Sequence, residues 1–434
     1  MSASPAARPI ERVAGLLLLK PGEAAPVIWS FAYFFCLLCS YFTLRPLRET
    51  FAVTSGSETV PLLFTGTFVV MLLLVPVFGT LVSRFSKRVF LPLVYLFFIA
   101  NLLIFYVLLA SDWNSLWVGR VFFVWLSVFN MFVVSVFWSF MADIFSSRQA
   151  RRLFALISAG GSAGAILGPL LTAWLAPLLG TANLLLVASA WLCLALVCQT
   201  RLMGWQQERS LESVSHVIGG SIWAGATILL RSRFLLKIAA VLALFTFLQT
   251  VVYNQQIVLV EAAYQDRSPT RFFALVDLGA NVVSVLLQLL VTSRLLAWLG
   301  AARTLVIMPL FTLAGFVVLA VFPQVLVLGV FQALRRGGEY GLMKPARELL
   351  YTRVQEEARY KSKNFIDTFV YRGGDAASGW VYLGLSQLAG MSVGLIASIA
   401  VPVAGLWAWL SFRLGADFEG RKNRETVLPD NESR

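Results

Sequence analysis

Apolar runs of about twenty residues recur along this chain from residue 25 to residue 413. A run of that length crosses roughly 30 Å of hydrocarbon as a helix. The runs are continuously apolar and do not alternate with polar residues, and a helix satisfies its own backbone hydrogen bonds in lipid. The sequence therefore predicts an all-α polytopic membrane protein. Composition agrees, because only 13% of the residues are charged, against roughly 25% in soluble domains.

The runs predict about twelve transmembrane helices, six on each side of a more polar stretch. The predicted spans are 25–48, 58–82, 89–110, 115–145, 153–179, 182–200, 235–261, 270–293, 302–321, 324–346, 364–389 and 391–413. The latter part of the polar stretch is expected to lie along the membrane surface as an amphipathic helix. The expected organisation is an N-terminal six-helix half (1–200), a cytoplasmic linker (201–234), a C-terminal six-helix half (235–413) and a cytoplasmic tail (414–434).

Loops rich in lysine and arginine alternate along the chain with loops that have neither, and such a bias sets the orientation of a protein in the membrane. Basic residues concentrate in the loops on the side of the N-terminus, near residues 84–88 and 148–152, whereas the opposite loops at 111–114, 180–183 and 322–324 contain none. Both termini are therefore predicted to be cytoplasmic, and residues 1–24 do not match a cleavable signal. The net charge of +13 follows mostly from this bias and needs no nucleic acid.

Catalytic and metal-binding patterns are missing from the sequence. The chain has four cysteines and one histidine, His216, which is too few for a zinc site. Cys36 and Cys39 have redox spacing, but they lie in an apolar span, where packing is the simpler interpretation. No Gly-rich phosphate loop or GxSxG motif occurs. We expect no enzyme activity, no cofactor and no bound metal.

Residues 331–350, FQALRRGGEYGLMKPARELL, place Arg335, Arg336, Glu339 and Lys344 within a predicted span. The two arginines are about eleven residues from its outer end, or roughly 16 Å deep. One charge at that depth costs on the order of 2.5–3.5 kcal/mol, so these groups must pair or face water. Glu339 lies four and three residues after the arginines, which predicts one pair along the helix and leaves two positive groups unmatched.

Other polar residues within the spans extend this candidate site. Arg372 and Asp375 are three residues apart and are expected to pair. Asp277 is either a partner for one of the arginines or a proton-coupling carboxylate. Lys344 either contacts a ligand or extends to the interface. The candidate anion-binding residues are Arg45, Arg48, Arg120, Asn254, Arg335, Arg336, Glu339, Lys344 and Arg372, and the candidate coupling or ion-pair residues are Asp277, Asp367 and Asp375.

Two alternatives stay open for these charges. The arginines of residues 331–350 and of the following span could only brace neighbouring helices. Arg45 and Arg48 lie at the outer end of the first span, where they are either interfacial anchors or a landing site for an anion.

The loop GTLVSRFSKR (79–88) resembles the conserved loop of the major facilitator superfamily, Gly-x-Leu-x-Asp-Arg-x-Gly-Arg-Arg. Gly79, Leu81, Arg84, Lys87 and Arg88 fit, while serines replace the acid and the second glycine. The resemblance implies two six-helix halves, a cavity lined by the first, fourth, seventh and tenth helices, and a cytoplasmic latch. The candidate gating residues are Arg84, Arg88, Asp143, Lys361 and Lys363.

Two glycine-rich segments occupy matching positions in the two halves: SAGGSAGAILG (158–168) and YRGGDAASG (371–379). Small residues four apart, such as Gly160 and Gly164, allow helices to approach closely. The match indicates an internal duplication, with a packing role at interfaces that move.

Residues 40–51, SYFTLRPLRETF, and residues 346–375 together resemble the ATP/ADP translocase family of plastids and intracellular bacteria. The matching positions are Leu44, Arg45, Leu47, Arg48, Glu49, Glu348, Tyr351, Tyr360, Lys361, Lys363, Ile366 and Asp367. The resemblance implies that Arg48 replaces a positive residue needed for nucleotide transport and that Lys361 and Lys363 belong to a functional cytoplasmic stretch. A glutamate that nucleotide carriers have in the fourth helix has no counterpart in residues 124–138.

These patterns together predict a secondary transporter that moves an anionic organic solute, with a nucleotide or related organophosphate as the leading candidate, by alternating access. It is expected in the bacterial cytoplasmic (inner) membrane as a monomer, with the solute and the lipid bilayer as its partners. Three alternatives remain: a proton-coupled major facilitator carrier for a muropeptide, siderophore or drug, a lipid flippase, and a non-transporting scaffold or sensor.

Overall fold

The computed structural model describes residues 20, 22–84, 87–111, 114–208, 222–265, 267–352, 354, 362–363 and 365–427. Regular secondary structure within these ranges is helical, and they contain no strand. Eight of the helices there are long and apolar enough to cross a membrane. The structure thus confirms the prediction of an all-α polytopic membrane protein.

The helices follow the predicted spans closely. In chain order they are α1 Ala24–Thr54, α2 Val60–Arg84, α3 Lys87–Ala110, α4 Ser115–Ile144, α5 Ser147–Glu208, α6 Ile222–Arg231, α7 Arg233–Tyr264, α8 Thr270–Leu286, α9 Ser293–Val321, α10 Val325–Gly338, α11 Lys344–Tyr351, α12 Tyr371–Leu383 and α13 Val393–Val427. Short π-helical turns occupy Leu287–Thr292, Glu339–Met343, Ile366–Val370 and Gly384–Leu388.

Two glycines divide the longest apolar segments, Arg152–Trp205 and Thr270–Val321, into separate crossings. The 62 residues of α5 would extend about 93 Å as a straight helix, three times the hydrocarbon thickness. Gly180 interrupts α5 at φ 76°, and Gly300 interrupts α9 at the same φ, which glycine adopts without a steric cost. Each long apolar segment therefore supplies two crossings. With the more charged helices α10–α11 and α12, the described residues provide the twelve predicted spans.

The chain divides into two compact units. The first contains Met1–Thr50, Leu73–Val217 and Phe273–Leu275, and the second contains Phe51–Leu72, Ile218–Phe272 and Val276–Arg434. Residues 51–72 thus belong with the second unit, and α13 continues into the expected tail as far as Val427. The predicted boundary at 201–234 stays a prediction, because residues 209–221 lie outside the described ranges.

In the first unit, α1 and α5 pack in close contact through glycines. A Cβ atom at Gly164 would lie 2.9 Å from the backbone nitrogen of Cys39 and nearer still to the carbonyl oxygen of Phe35. Gly160 and Gly168 meet the α1 backbone in the same way. The glycines predicted to allow close helix approach therefore do so against α1.

In the second unit, α13 packs along α9, and α7 contacts α12 and α13. Gly374 of α12 faces Thr246 of α7, where a Cβ atom would lie 3.0 Å from the threonine Cγ2. Leu242, Phe245 and Trp407 are among the buried side chains of this core. The first glycine segment thus approaches α1, whereas in the second segment Gly374 faces α7 and Gly373 and Gly379 face Phe68 and Pro61 of α2.

Large apolar side chains also point outward from the helices. Trp298 is 82% exposed and Leu289 is 73% exposed. Such an apolar surface is stable in contact with the hydrocarbon of a lipid bilayer.

Candidate functional site

A group of buried charged side chains lies within the second unit, on α8, α10, α11, α12 and the turn after α10. Five of them are at least nine-tenths buried, and Arg336 and Arg372 are half-buried. We name this group the charge cluster; its members are Asp277, Arg335, Arg336, Glu339, Arg347, Arg372 and Asp375. Four arginines and three acids give it one net positive charge.

Arg335 is bound by a neutral amide. Its Nε and Nη2 atoms donate to Oε1 of Gln332 at 3.1 and 2.8 Å, and Nε2 of Gln332 donates to Oε1 of Gln256 on α7 at 2.9 Å. Arg335 is only 3% exposed, and no carboxylate of the described residues lies within ion-pair distance of it. Its charge is therefore oriented but not neutralised by a direct partner.

Arg336 has an acidic partner on a different helix. Its Nη1 atom lies 2.6 Å from Oδ1 of Asp277 on α8, and the Asp277 side chain is 1% exposed. Of the two interpretations left open for Asp277, this contact matches that of a partner for an arginine. The ion pair joins α10 to α8.

Glu339 does not form the predicted pair with Arg335 or Arg336. Its Oε1 atom lies 4.0 Å from Nη1 of Arg347 on α11. The backbone spacing stays α-helical, because the Glu339 amide still donates to the carbonyl oxygen of Arg335. The physical reason is that the Arg335 guanidinium binds Gln332 instead. Meanwhile Arg336 finds a closer acid on α8. The pair predicted along one helix is thus replaced by two contacts between helical segments.

Arg372 and Asp375 lie as their spacing predicts, with Nη1 and Oδ2 3.9 Å apart. The hydroxyl of Thr250 on α7 donates to the other oxygen of Asp375 at 3.1 Å. Asn254, one turn further along α7, is fully buried, and its amide donates to the Thr250 carbonyl oxygen at 2.8 Å. This part of the charge cluster is therefore connected to α7.

The first unit holds the other predicted arginines, each above an aromatic ring. Arg48 lies 4.8 Å from the centre of the Phe123 ring and 2.6 Å from Oε1 of Glu49. Arg45 lies 5.9 Å from the Phe42 ring and Arg120 lies 5.0 Å from the Trp117 ring. A cation–π contact of this kind contributes about 0.5–2 kcal/mol. It does not neutralise the charge of the guanidinium.

The predicted gating residues are only partly described. Arg84 ends α2 and Arg88 lies in α3, but nothing is described of their side chains, and Lys361 lies outside the described residues. Asp143 is half-buried in α4. Lys363 lies 2.6 Å from Oε2 of Glu348. The latch therefore stays a prediction.

Lys344 and Asp367 are exposed. Nζ of Lys344 lies 5.8 Å from the centre of the Tyr340 ring, beside a groove of about 620 Å³ lined by Gln288, Thr292, Tyr340 and Glu348 among others. Asp367 lies in the π-helical turn before α12. Neither is among the buried members of the charge cluster.

Two titratable groups outside the spans have shifted pKa values. Burial alone would raise the pKa of Glu23, but hydrogen bonds from the Lys20 amide, Gln149 and Arg152, together with the Arg152 charge, lower it. Burial and the nearby charge of Asp367 raise the pKa of Tyr351. No three potential metal-ligating side chains come together in the described part of the chain.

Gln332 and Arg347 contribute to the site, although sequence reasoning did not single them out. Gln332 lies three residues before Arg335, a spacing that could have indicated a contact. Arg347 lies eight residues after Glu339, beyond the range of such a rule. It lies one residue beyond the predicted span 324–346, so no contact within the span was expected of it.

Helices that are long and apolar enough to cross a membrane, with a cluster of buried charges in the second unit, place this chain among polytopic membrane proteins. The family model of the Major Facilitator Superfamily matches residues 17–345. The chain belongs to the major facilitator superfamily, and it is a secondary transporter.

Two solved transporter structures have a fold similar to that of this chain. The nucleoside transporter NupG aligns with a TM-score of 0.64 at 14% identity, covering 92% of this chain and 100% of that one. A bacterial homologue of the iron transporter ferroportin, in the inward-facing state, aligns with a TM-score of 0.68 at 12% identity, covering 92% and 100%.

Among curated relatives, ADP,ATP carrier protein 1 of Chlamydia muridarum (strain MoPn / Nigg) is 22% identical, covering 90% of this chain and 87% of its own length. The protein of the same name from Chlamydia trachomatis serovar D is equally similar. The resemblance to ATP/ADP translocases therefore extends over almost the whole chain.

Proposed function

We propose that this transporter carries a nucleotide or a related organophosphate, and that the charge cluster binds its phosphate groups. The observation that carries the proposal is Arg335: a deeply buried guanidinium held by the Gln332 amide without a direct acidic partner. A buried charge that lacks compensation is costly. An anion at this point supplies the missing charge.

The geometry of Arg335 supports this role. Gln332 occupies donors on the Nε side of the guanidinium, which leaves the Nη1 donors for a ligand. Charge-assisted hydrogen bonds from arginine to phosphate are short and strong. Arg372, half-buried on α12, adds a second cation on the same unit.

The nucleotide assignment rests on relatives as well as on charge. The carriers of the two Chlamydia species are named for ADP and ATP, and the sequence matches of residues 40–51 and 346–375 fall in the same family. By that resemblance, Arg48 of the first unit takes the place of a positive residue needed for nucleotide transport. We also place the protein in the bacterial cytoplasmic membrane with both termini cytoplasmic, acting as a monomer without catalysis.

The test is uptake of labelled ATP into lipid vesicles that contain the purified protein and are preloaded with ADP. Arg335→Gln should reduce uptake by at least tenfold, since it removes the binding charge. Gln332→Glu is the sharper variant. It keeps the size of the side chain and supplies Arg335 with a carboxylate, at the loss of the hydrogen bond donated to Gln256, so uptake should fall because the charge of Arg335 is already paired.

Arg413→Gln is the matched control, because Arg413 is exposed on α13 above the Trp409 ring and should leave uptake unchanged. If Arg335 is only a structural residue of α10, Gln332→Glu will keep its charge paired and transport will continue. That outcome, or wild-type uptake by Arg335→Gln, contradicts the proposal.

A further inference from the structure

A groove of about 620 Å³ opens beside Lys344 on the surface of the second unit. One wall is the π-helical turn Leu287–Thr292 with the start of α9, and the other is the π-helical turn Glu339–Met343 with the start of α11. No member of the charge cluster is among the lining residues. The groove is therefore a feature separate from the candidate cargo site.

Pro345 explains how the two walls are held together. Proline has no amide hydrogen, so the carbonyl oxygens of Gly341 and Tyr340, four and five residues earlier, lack a helical donor at that position. Side chains of the opposite wall donate to both oxygens: the hydroxyl of Thr292 to Gly341 at 2.6 Å, and Nε2 of Gln288 to Tyr340 at 3.1 Å. The groove thus has walls fixed to one another by hydrogen bonds.

The groove lies where two membrane crossings end. Lys344 comes 19 residues after Val325, the first residue of α10, which is about 28 Å along a helix. Ser293 of the other wall comes 23 residues after Thr270, the first residue of α8, or about 34 Å. Hydrocarbon is about 30 Å thick. Both walls therefore reach the level of the lipid headgroups, on the side that the basic loops predict as cytoplasmic.

The surface next to the groove is apolar. Leu289 and Leu290 precede one wall, Leu349 follows the other, and all three side chains are exposed. Leu296 and the half-exposed ring of Tyr340 line the groove itself. A molecule that has a polar head and an apolar chain matches such a site.

The charge at the groove is positive. Glu348 lines it, but its Oε2 atom lies 2.6 Å from Nζ of Lys363. Lys344 has no carboxylate within ion-pair distance among the described residues. Arg294, next to the lining residue Ser293, is exposed and adds another cation at this level. The head that the groove favours is therefore an anion.

We propose that this groove binds an anionic phospholipid, with the lipid phosphate at Lys344 and the start of an acyl chain against Leu296 and Tyr340. Lysine forms strong charge-assisted hydrogen bonds with phosphate, and basic pockets between membrane helices bind anionic headgroups. The volume is within the roughly 300–1,000 Å³ typical of small-molecule sites. The inference goes beyond the proposed function and does not depend on the identity of the cargo.

The test is native mass spectrometry of the purified protein in a neutral detergent that contains equal amounts of phosphatidylglycerol and phosphatidylcholine. Both lipids have a phosphate and two acyl chains, but only phosphatidylglycerol has a net negative charge. Wild-type protein should retain phosphatidylglycerol in preference. Lys344→Gln should lower its retention about fivefold, the effect of one cation near an anionic headgroup, and should leave phosphatidylcholine unchanged.

Arg413→Gln is the matched control. Arg413 lies 20 residues after Val393, the first residue of α13, so it has the depth of Lys344. It is exposed and lies 5.4 Å from the Trp409 ring, much as Lys344 lies beside Tyr340. This variant should retain phosphatidylglycerol as wild-type protein does. Leu296→Trp keeps every charge but fills the groove, and it should also lower retention.

Three outcomes would overturn the inference. Equal retention of the two lipids by wild-type protein is the first, and it requires no substitution that could misfold. Equal losses in Lys344→Gln and Arg413→Gln are the second, because any surface cation would then attract the lipid. Displacement of phosphatidylglycerol by millimolar glycerol phosphate or ADP is the third, because the groove would then bind a soluble anion. Uptake of ATP tests the proposed function separately.

Discussion

Two adjacent arginines in α10 have different surroundings, and this difference organises the site. Successive residues of an α-helix point about 100° apart, so Arg335 and Arg336 meet different neighbours. Arg336 contacts an acid at 2.6 Å, whereas Arg335 contacts the amide of Gln332. We infer that Arg336 mainly holds α10 against α8 and that Arg335 is the residue available to cargo.

The first prediction concerns the Arg336–Asp277 ion pair. Removing one partner of a buried pair leaves the other charge uncompensated, which costs about 3–5 kcal/mol. Arg336→Gln and Asp277→Asn should therefore each lower the unfolding temperature in detergent. The double variant should recover a large part of that loss, because no unpaired charge remains. Thermal unfolding of the three variants checks this, and additive losses in the double variant would contradict it.

At the scale of helices, the glycines of α5 determine how closely α1 can approach. Gly160, Gly164 and Gly168 lie on one face at four-residue spacing, and α1 occupies the space that side chains would need. Gly204, near the end of the same helix, has no atom within 4 Å of the place where a Cβ would lie. One helix thus contains both a glycine that packing requires and one that packing does not require.

The second prediction compares Gly164→Ala with Gly204→Ala. The methyl group at position 164 would collide with the α1 backbone, and such overpacking costs about 1–3 kcal/mol. At position 204, alanine meets open space and has a helix propensity better by about 1 kcal/mol. The unfolding temperature should fall for the first variant and stay constant or rise for the second. Equal effects would mean that α1 and α5 are not in close contact.

At the scale of the molecule, the number of crossings sets the side of the membrane that each segment reaches. Gly180 divides α5 into two crossings, so the chain should lie outside near residue 181 and inside again by residue 205. The basic loops predict the same alternation. Orientation is thus a property of the whole series of spans.

The third prediction uses reporter fusions at these points. Alkaline phosphatase, which is active outside the cytoplasm, should be active when fused after Thr181 and inactive after Trp205. Green fluorescent protein should show the opposite pattern and should also fluoresce at the C-terminus. Phosphatase activity at Trp205 would contradict both the crossing at Gly180 and the cytoplasmic C-terminus.

Most of the fold was predictable from the sequence. The span predicted at 115–145 is Ser115–Ile144. The gaps predicted between spans at 180–181 and at 294–301 contain Gly180 and Gly300, the glycines that interrupt α5 and α9. The site was predictable only in part. The Arg372–Asp375 pair follows from spacing along one helix, whereas Asp277, which contacts Arg336, was left between two interpretations. The π-helical turn at Glu339 had no signal, because hydrophobic periodicity does not report which carbonyl each amide contacts.

The sequence by itself determined that this chain crosses a membrane about twelve times and that charges lie deep within certain spans. The reason is that hydrocarbon demands long apolar helices with satisfied backbones, a local property that composition records directly. Tertiary structure alone decided which charge meets which. Glu339 lies nearest to Arg347, Arg336 pairs with Asp277, and Arg335 binds the amide of Gln332. Partners on different helical segments come together only when those segments pack, and packing depends on residues far apart in the chain.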